Sequence, residues 1–206
     1  QGSLGDCYYL ASLASLSESD PGLIRESITS LGDGTYAVRY YRSGAEVYLR
    51  IDADLPGSYA RLTPDGEIWV MLMEKAYAFF RYGQNSYSSI EGGWMSNVVT
   101  EITGATSSTR WSGGTAASLA SYIESNLAAG HSITAGSYSS PASPIVGSHA
   151  YMIKSIEGTG DAAMITVYNP WGVDGRSWDS NYNDGLLTLT VAQFQAAFSA
   201  TVLCNA

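Results

Sequence analysis

Apolar positions change their period near the middle of the chain. In CYYLASLASL (7–16), Tyr9, Leu13 and Leu16 recur at helical spacing with Leu10 and Ala14 beside them, which predicts a helix. Asp20-Pro21 marks a second helix start: a capping side chain precedes a residue whose fixed φ suits a first turn. TYAVRYYR (35–42) and AEVYLRI (45–51) alternate instead, and Ser43-Gly44 between them reads as a hairpin turn. Trp69, Leu72, Met73, Ala76 and Phe80 form a helical stripe in WVMLMEKAYAFFRY (69–82), the pattern of a core helix.

A further helix is predicted over 115–129, with Thr115 as cap, Leu119, Ile123 and Leu127 aligned, and Gly130 as stop. Beyond it the pattern becomes short and strand-like: HSITAGS, HAYMIKSIE, AAMITVYN, GLLTLT and ATVLCN, with a short helix around AQFQAAF. The Gly- and Ser/Thr-rich stretch TGATSSTRWSGGT (103–115) separates the two characters. The expected class is α+β, with a mainly helical part over 1–107, a β-rich part over 108–206 and a cleft between them. No internal repeat is visible.

Composition sharpens this. Of 206 residues, 45% are hydrophobic and 14% charged, a folded composition in which 15 Tyr and 5 Trp supply large buried surfaces. Ten basic and 19 acidic residues give a net charge of −9, which disfavours a nucleic-acid partner. No apolar run is long enough to span a bilayer. The chain opens on Gln1 rather than Met, so a longer parent chain is expected. Two cysteines exclude a disulfide scaffold, and two thiols with two histidines argue against a Cys/His zinc site. Few lysines with abundant Ser, Thr and Gly suit an exported protein, whereas the lack of a disulfide framework suits an intracellular one. The compartment stays open.

A thiol nucleophile needs a route to thiolate, a base, and donors for an oxyanion. The opening QGSLGDCYYL offers two of these. Gly2 and Gly5 permit a tight turn that sets Cys7 at a helix N-terminus, where unpaired N–H groups and the dipole favour the thiolate. The Gln1 amide and the Cys7 N–H are candidate oxyanion donors. An arbitrary cysteine is more often a small buried hydrophobe. The polar, Gly-rich lead-in weighs against that here.

His131 and His149 are the candidate bases. His131 follows Gly130 and reads as a strand-end residue. His149 shares a strand face with Tyr151 and Ile153 in GSHAYMIKSI. Asn169 ends an apolar strand in VYNPWG, and Pro170 forces it toward an extended conformation. Its carboxamide oxygen can accept from one imidazole nitrogen and leave the other facing the thiol, with Trp171 excluding water. Alone, NPWG reads as an exposed turn; the ordered set Cys…His…Asn is the papain-like order.

Five blocks then carry a family resemblance. QGSLGDCYYLASLASL resembles the calpain nucleophile segment, and VRYYRSGAEVYLRIDADLP the hairpin that follows it. EIWVMLMEKAYAFF with SIEGG is similar to the long helix, and GSHAYMI and YNPWG to the histidine and asparagine segments. The resemblance covers nearly the whole chain. It implies a papain-like two-lobe cysteine endopeptidase acting on protein or peptide. Cys7 would be nucleophile, His149 base, Asn169 its orienter, Gln1 an oxyanion donor and Trp171 the shield.

Tyr8 stands where calpains usually have Trp, and Ser148 where Gly usually precedes the histidine. The resemblance also raises calcium as a regulator, though none is required for the chemistry. Glu67 matches a first-lobe ligand position, but its partner would lie upstream of Gln1. Asp174 and Asp179 fall near the second-lobe cluster, while LTLTVAQF lacks the carboxylates to complete it. A solvated acidic surface is therefore the expectation, and calcium-binding regulatory domains are absent from this sequence. Rival readings are a catalytically silent binding module on the same fold, a transglutaminase-like acyl transferase and an acidic structural domain.

Overall fold

The computed structural model describes residues 1–55, 60 and 66–204. Pro56 of the hairpin block and Asn205 of the last expected strand fall outside them. The first expected helix is α1 (Cys7–Ser19), followed by α2 (Pro21–Ser27), which Asp20 caps by accepting from the Leu23 N–H at 3.1 Å. Three antiparallel strands come next: β1 (Ile28–Ser30), β2 (Thr35–Arg42) and β3 (Ala45–Asp52). The β2–β3 turn is tight because Ser43 and Gly44 both take positive φ, 53° and 79°, the twist that matches paired strands. Helix α3 (Trp69–Phe80) keeps the expected core stripe and stops two residues early.

Two elements of the first half escape the periodicity reading. Helix α4 (Met95–Thr103) is short, and its apolar face is only Met95, Val98, Val99 and Ile102. Strand β1 spans three residues, too few to show alternation. With α1 to α4 around it, the three-stranded sheet makes the first half less purely helical than its pattern implies.

Strand β4 (Ser107–Trp111) lies inside the Gly- and Ser/Thr-rich stretch that reads as a boundary. Its polar SSTRW sequence hides it, because it is an edge strand paired on one side to the last strand. Helix α5 (Ala116–Ala128) begins at the Thr115 cap, which accepts from Ser118 N–H at 3.2 Å. Strands β5 (Ser132–Ser137), β6 (Ala150–Glu157), β7 (Met164–Tyr168) and β8 (Leu186–Thr190), helix α6 (Val191–Ala197) and strand β9 (Phe198–Cys204) complete the chain. The second sheet is antiparallel, in the order β4-β9-β5-β6-β7-β8.

Two apolar cores form. One gathers Tyr9, Leu13, Tyr40, Met73 and Tyr77 around α1, α3 and the small sheet; the other gathers Ile123, Tyr151, Ile165, Phe194 and Phe198 on the large sheet. Helix α1 bridges them. Its front turn lies against β6, the Ser15 hydroxyl donates to Ile133 O on β5 at 3.2 Å, and Lys154 on β6 pairs with Glu18 at 2.5 Å. This placement sets the first residue of α1 beside the start of β6, in a cleft that His149 also lines.

Candidate active site

Cys7 is the first residue of α1 and is half-buried. Burial pushes its thiol pKa up. Backbone N–H groups of Ala150, Tyr8 and Cys7 itself pull it down, and the nearby Asp6 carboxyl pushes it up again. The sulfur is thus ringed by donors from the front of α1 and from the first residue of β6.

His149 directly precedes β6 and is buried, 6% exposed. Its Nε2 lies 2.8 Å from Asn169 Oδ1. The orientation of that amide is set by its other partners: Trp171 N–H donates to Oδ1 at 3.1 Å, and Nδ2 donates to Asp174 O at 3.3 Å. Oδ1 is therefore the acceptor, Nε2 carries the proton, and Nδ1 is left with its lone pair. Burial holds the His149 pKa below the usual imidazole value, and the Asn169 hydrogen bond opposes this.

Asn169 is fully buried at the end of β7, tied through its N–H to Gly185 O at 2.8 Å. Trp171 stands with its ring centre 4.7 Å from that of His149, and Tyr151 meets the other side edge-on at 4.9 Å. The imidazole is gripped on two faces and anchored at one nitrogen. His131 is elsewhere: its Nδ1 contacts Asn126 Oδ1 at 3.1 Å beside the end of α5.

Cys7, His149, Trp171 and Gln1 line one cleft of about 640 Å³, a size suited to a few residues of a ligand chain. Among the described residues no hydrogen bond joins the Cys7 thiol to the His149 imidazole, and burial favours the neutral form of each. The Gln1 amide donates to Leu4 O at 2.5 Å, and the Gln1 backbone nitrogen donates to Pro170 O at 2.7 Å, which ties the opening loop to the Asn169 turn. A larger cavity of about 710 Å³ lies between α2 and α3, lined by Ile24, Glu67 and Trp69, and its described lining holds no thiol or imidazole.

Sequence reasoning gave no role to Trp94 and Gly93, and noted Tyr8 and Ser148 only as departures from the family pattern. Trp94, 73% exposed, and Gly93 form part of the cleft wall. Tyr8 lies under Gly93, where an added Cβ would come 2.4 Å from the ring; its hydroxyl donates to Ile90 O at 2.9 Å and receives Arg81 at 2.8 Å. Ser148 has φ 51°, in the left-handed region, which explains why glycine is the usual choice there. Among the described residues, the cleft lining holds no Lys, Arg, Asp or Glu.

Among the described residues, no group of three or more Asp, Glu, His or Cys converges as a cation would need. Asp174 is buried, but its near donor is Gly185 N–H, and Asp179 and Asp184 act on it as like charges at a distance. Glu67 lies in the other cavity. No step below runs through a metal ion. No helix is long and apolar enough to cross a membrane among the described residues.

Comparison with known proteins places the chain in a family. The profile described as "Calpain family cysteine protease" matches residues 1–195. The chain is 28% identical over 210 residues to the calpain-type cysteine protease DEK1 of Zea mays, covering 89% of this chain and 9% of that protein. Calpain clp-4 of Caenorhabditis elegans is 29% identical, with 90% of this chain and 28% of that protein covered. Calpain-8 of Homo sapiens is 26% identical, with 100% and 35% covered. The chain thus spans between about a tenth and a third of the length of these relatives. With a family match that runs over residues 1–195, most of its length, this chain belongs to the calpain family of cysteine proteases.

Proposed function

We propose that this chain is the catalytic core of a cysteine endopeptidase, part of a longer protein, with a papain-like two-lobe arrangement divided near residues 107 and 108. The observation that carries the reading is the buried His149–Asn169 pair in the same cleft as a thiol at a helix front. Cys7 attacks the peptide carbonyl carbon as its proton passes to His149 Nδ1. The developing oxyanion is met by the Cys7 backbone N–H and by the Gln1 amide once that amide turns from Leu4 O. The imidazolium then protonates the leaving amine, and the acyl-thioester is hydrolysed by a water that His149 deprotonates. Asn169 keeps the ring and its tautomer in place throughout, and Trp171 shields it. No metal is required by these steps.

Two other readings are tested by the same experiments. In a silent binding module the thiol would be inert. In a transglutaminase-like acyl transferase an amine would replace water as acceptor; that chemistry usually employs Asp where Asn169 stands. The test is cleavage of an unfolded protein by the parent chain, by Cys7→Ala and by His131→Ala. Cys7→Ala should abolish turnover and His131→Ala should leave it intact. Turnover surviving in Cys7→Ala would overturn the proposal. Incorporation of a primary amine in place of hydrolysis would favour the transferase.

A further inference from the structure

Asp6 occupies the position before α1 where a carboxylate ordinarily accepts from the N–H of the second or third helical residue. Here it makes no such capping bond. The side chain is fully buried instead. Beyond its own backbone N–H, neither carboxyl oxygen has a donor of ordinary geometry among the described residues. The polar group within hydrogen-bonding reach is another acid, Glu74 of α3, itself 1% exposed, whose oxygens accept from Ala60 N–H at 3.0 and 3.1 Å. Two carboxyl groups in contact have no hydrogen between them unless one is protonated, and two bare charges at that range would not remain buried together. Among the described residues no arginine or lysine neutralises them: Lys75, next along α3, binds Asp52 and Asp54 O, both at 2.6 Å.

The diverted carboxyl leaves something open. An Asp6 side chain that capped α1 would occupy its first N–H groups with a negative charge. Those are the groups, from Cys7 and Tyr8, that bear on the Cys7 sulfur.

We propose that Asp6 and Glu74 share one proton as a buried acid pair that holds the Asp6 carboxyl away from the front of α1 and so reserves the first-turn N–H groups for the Cys7 sulfur. Both are positioning residues, and the inference rests on Cys7 being the nucleophile. Burial, then Glu74, push Asp6 up to about 9, and burial raises Glu74 as well, in keeping with a pair that retains its proton at neutral pH. The titratable groups that face the pair are Cys7, Tyr8 and Tyr9 of α1 and Tyr40 of β2.

The test uses two readouts that do not need peptidase turnover. Infrared difference spectra at pH 7 should contain a protonated carboxyl band that both Asp6→Asn and Glu74→Gln remove. Rates of Cys7 alkylation, followed against pH, should fall at least fivefold at pH 7 in Glu74→Ala, where Asp6 is freed to ionise and swing to the helix front. Asp6→Asn copies the protonated acid and should alkylate within twofold of the parent. Circular dichroism establishes that each variant is folded. A parent spectrum with no such band, or a folded Glu74→Ala whose alkylation profile matches the parent, would overturn the pair. Survival of turnover in Cys7→Ala would remove the functional reading and leave the band to report on the pair alone.

Discussion

The imidazole of His149 and the carboxamide of Asn169 are 20 residues apart in the chain and 2.8 Å apart in space, with Nε2 bound and Nδ1 left as the basic nitrogen. Among the described residues the Asn169 amide is the one partner of His149 Nε2, so its removal frees the ring to turn. Asn169→Ala should lower kcat by roughly ten- to hundredfold, within the range that positioned acid–base catalysis supplies, and leave KM nearly unchanged. Steady-state kinetics on a peptide substrate measures this. A change confined to KM would place Asn169 in binding rather than in orienting the base.

Gly93 and Tyr8 form a second tight contact, and it explains why no side chain is tolerated at 93. Gly93→Ala should destabilise the protein by about 1–3 kcal/mol through overpacking, because Ile90 O and Arg81 hold the Tyr8 hydroxyl in place. Introduced alongside Tyr8→Leu, the same change should cost much less. Additive losses in the double-mutant cycle would mean that the two residues do not compete for space.

Ser148 tests the left-handed turn before the histidine. A β-branched residue at φ 51° is strained more than serine, so Ser148→Val should cost on the order of 1–2 kcal/mol. Ser148→Gly should be neutral or slightly stabilising, because relief of strain is offset by a more flexible unfolded chain. Chemical denaturation of both variants gives the comparison.

Trp94 projects from the cleft wall into solvent, and its apolar surface gains most when a ligand chain covers it. Trp94→Ala should raise KM for protein substrates several-fold with kcat within a factor of two. The uncharged cleft lining adds that peptides with acidic residues next to the scissile bond should be cut more slowly than neutral ones. Equal rates across a neutral and acidic peptide series would remove charge from the specificity.

Stability should depend on pH from both sides. Asp6 has a raised pKa, so the folded state holds a proton that the unfolded chain releases above about pH 4. Its contribution is whole below that value and is lost as pH rises toward 9, with a slope of up to about 1.4 kcal/mol per pH unit. His149 has a lowered pKa and works the other way: the unfolded chain takes up a proton first, so stability falls as pH drops below about 6.5. Denaturation midpoints across pH 4 to 9 should fall at both ends. Asp6→Asn should flatten the alkaline side, and an unchanged alkaline slope would assign that loss to another group.

Helices α1, α2, α3, α5 and α6, the hairpin and strands β5 to β9 were legible because each carries a local period or lies beside a marked turn or cap. Helix α4 and strands β1 and β4 were not. They are short or polar, and their stability comes from neighbours distant in sequence. The reacting side chains were readable as types in order, Cys7, His149 and Asn169, because their chemistry demands those types.

Amino-acid order alone determined the element types, the family and the candidate chemistry, since these depend on local periodicity and on which functional groups are present. Tertiary packing decided the rest. It set the thiol beside the N–H of Ala150, fixed the amide of Asn169 through Trp171 and Asp174, laid Tyr8 under Gly93 and turned Asp6 from its helix toward Glu74. These contacts join groups 2 to 143 positions apart, and no local pattern encodes a distance in space.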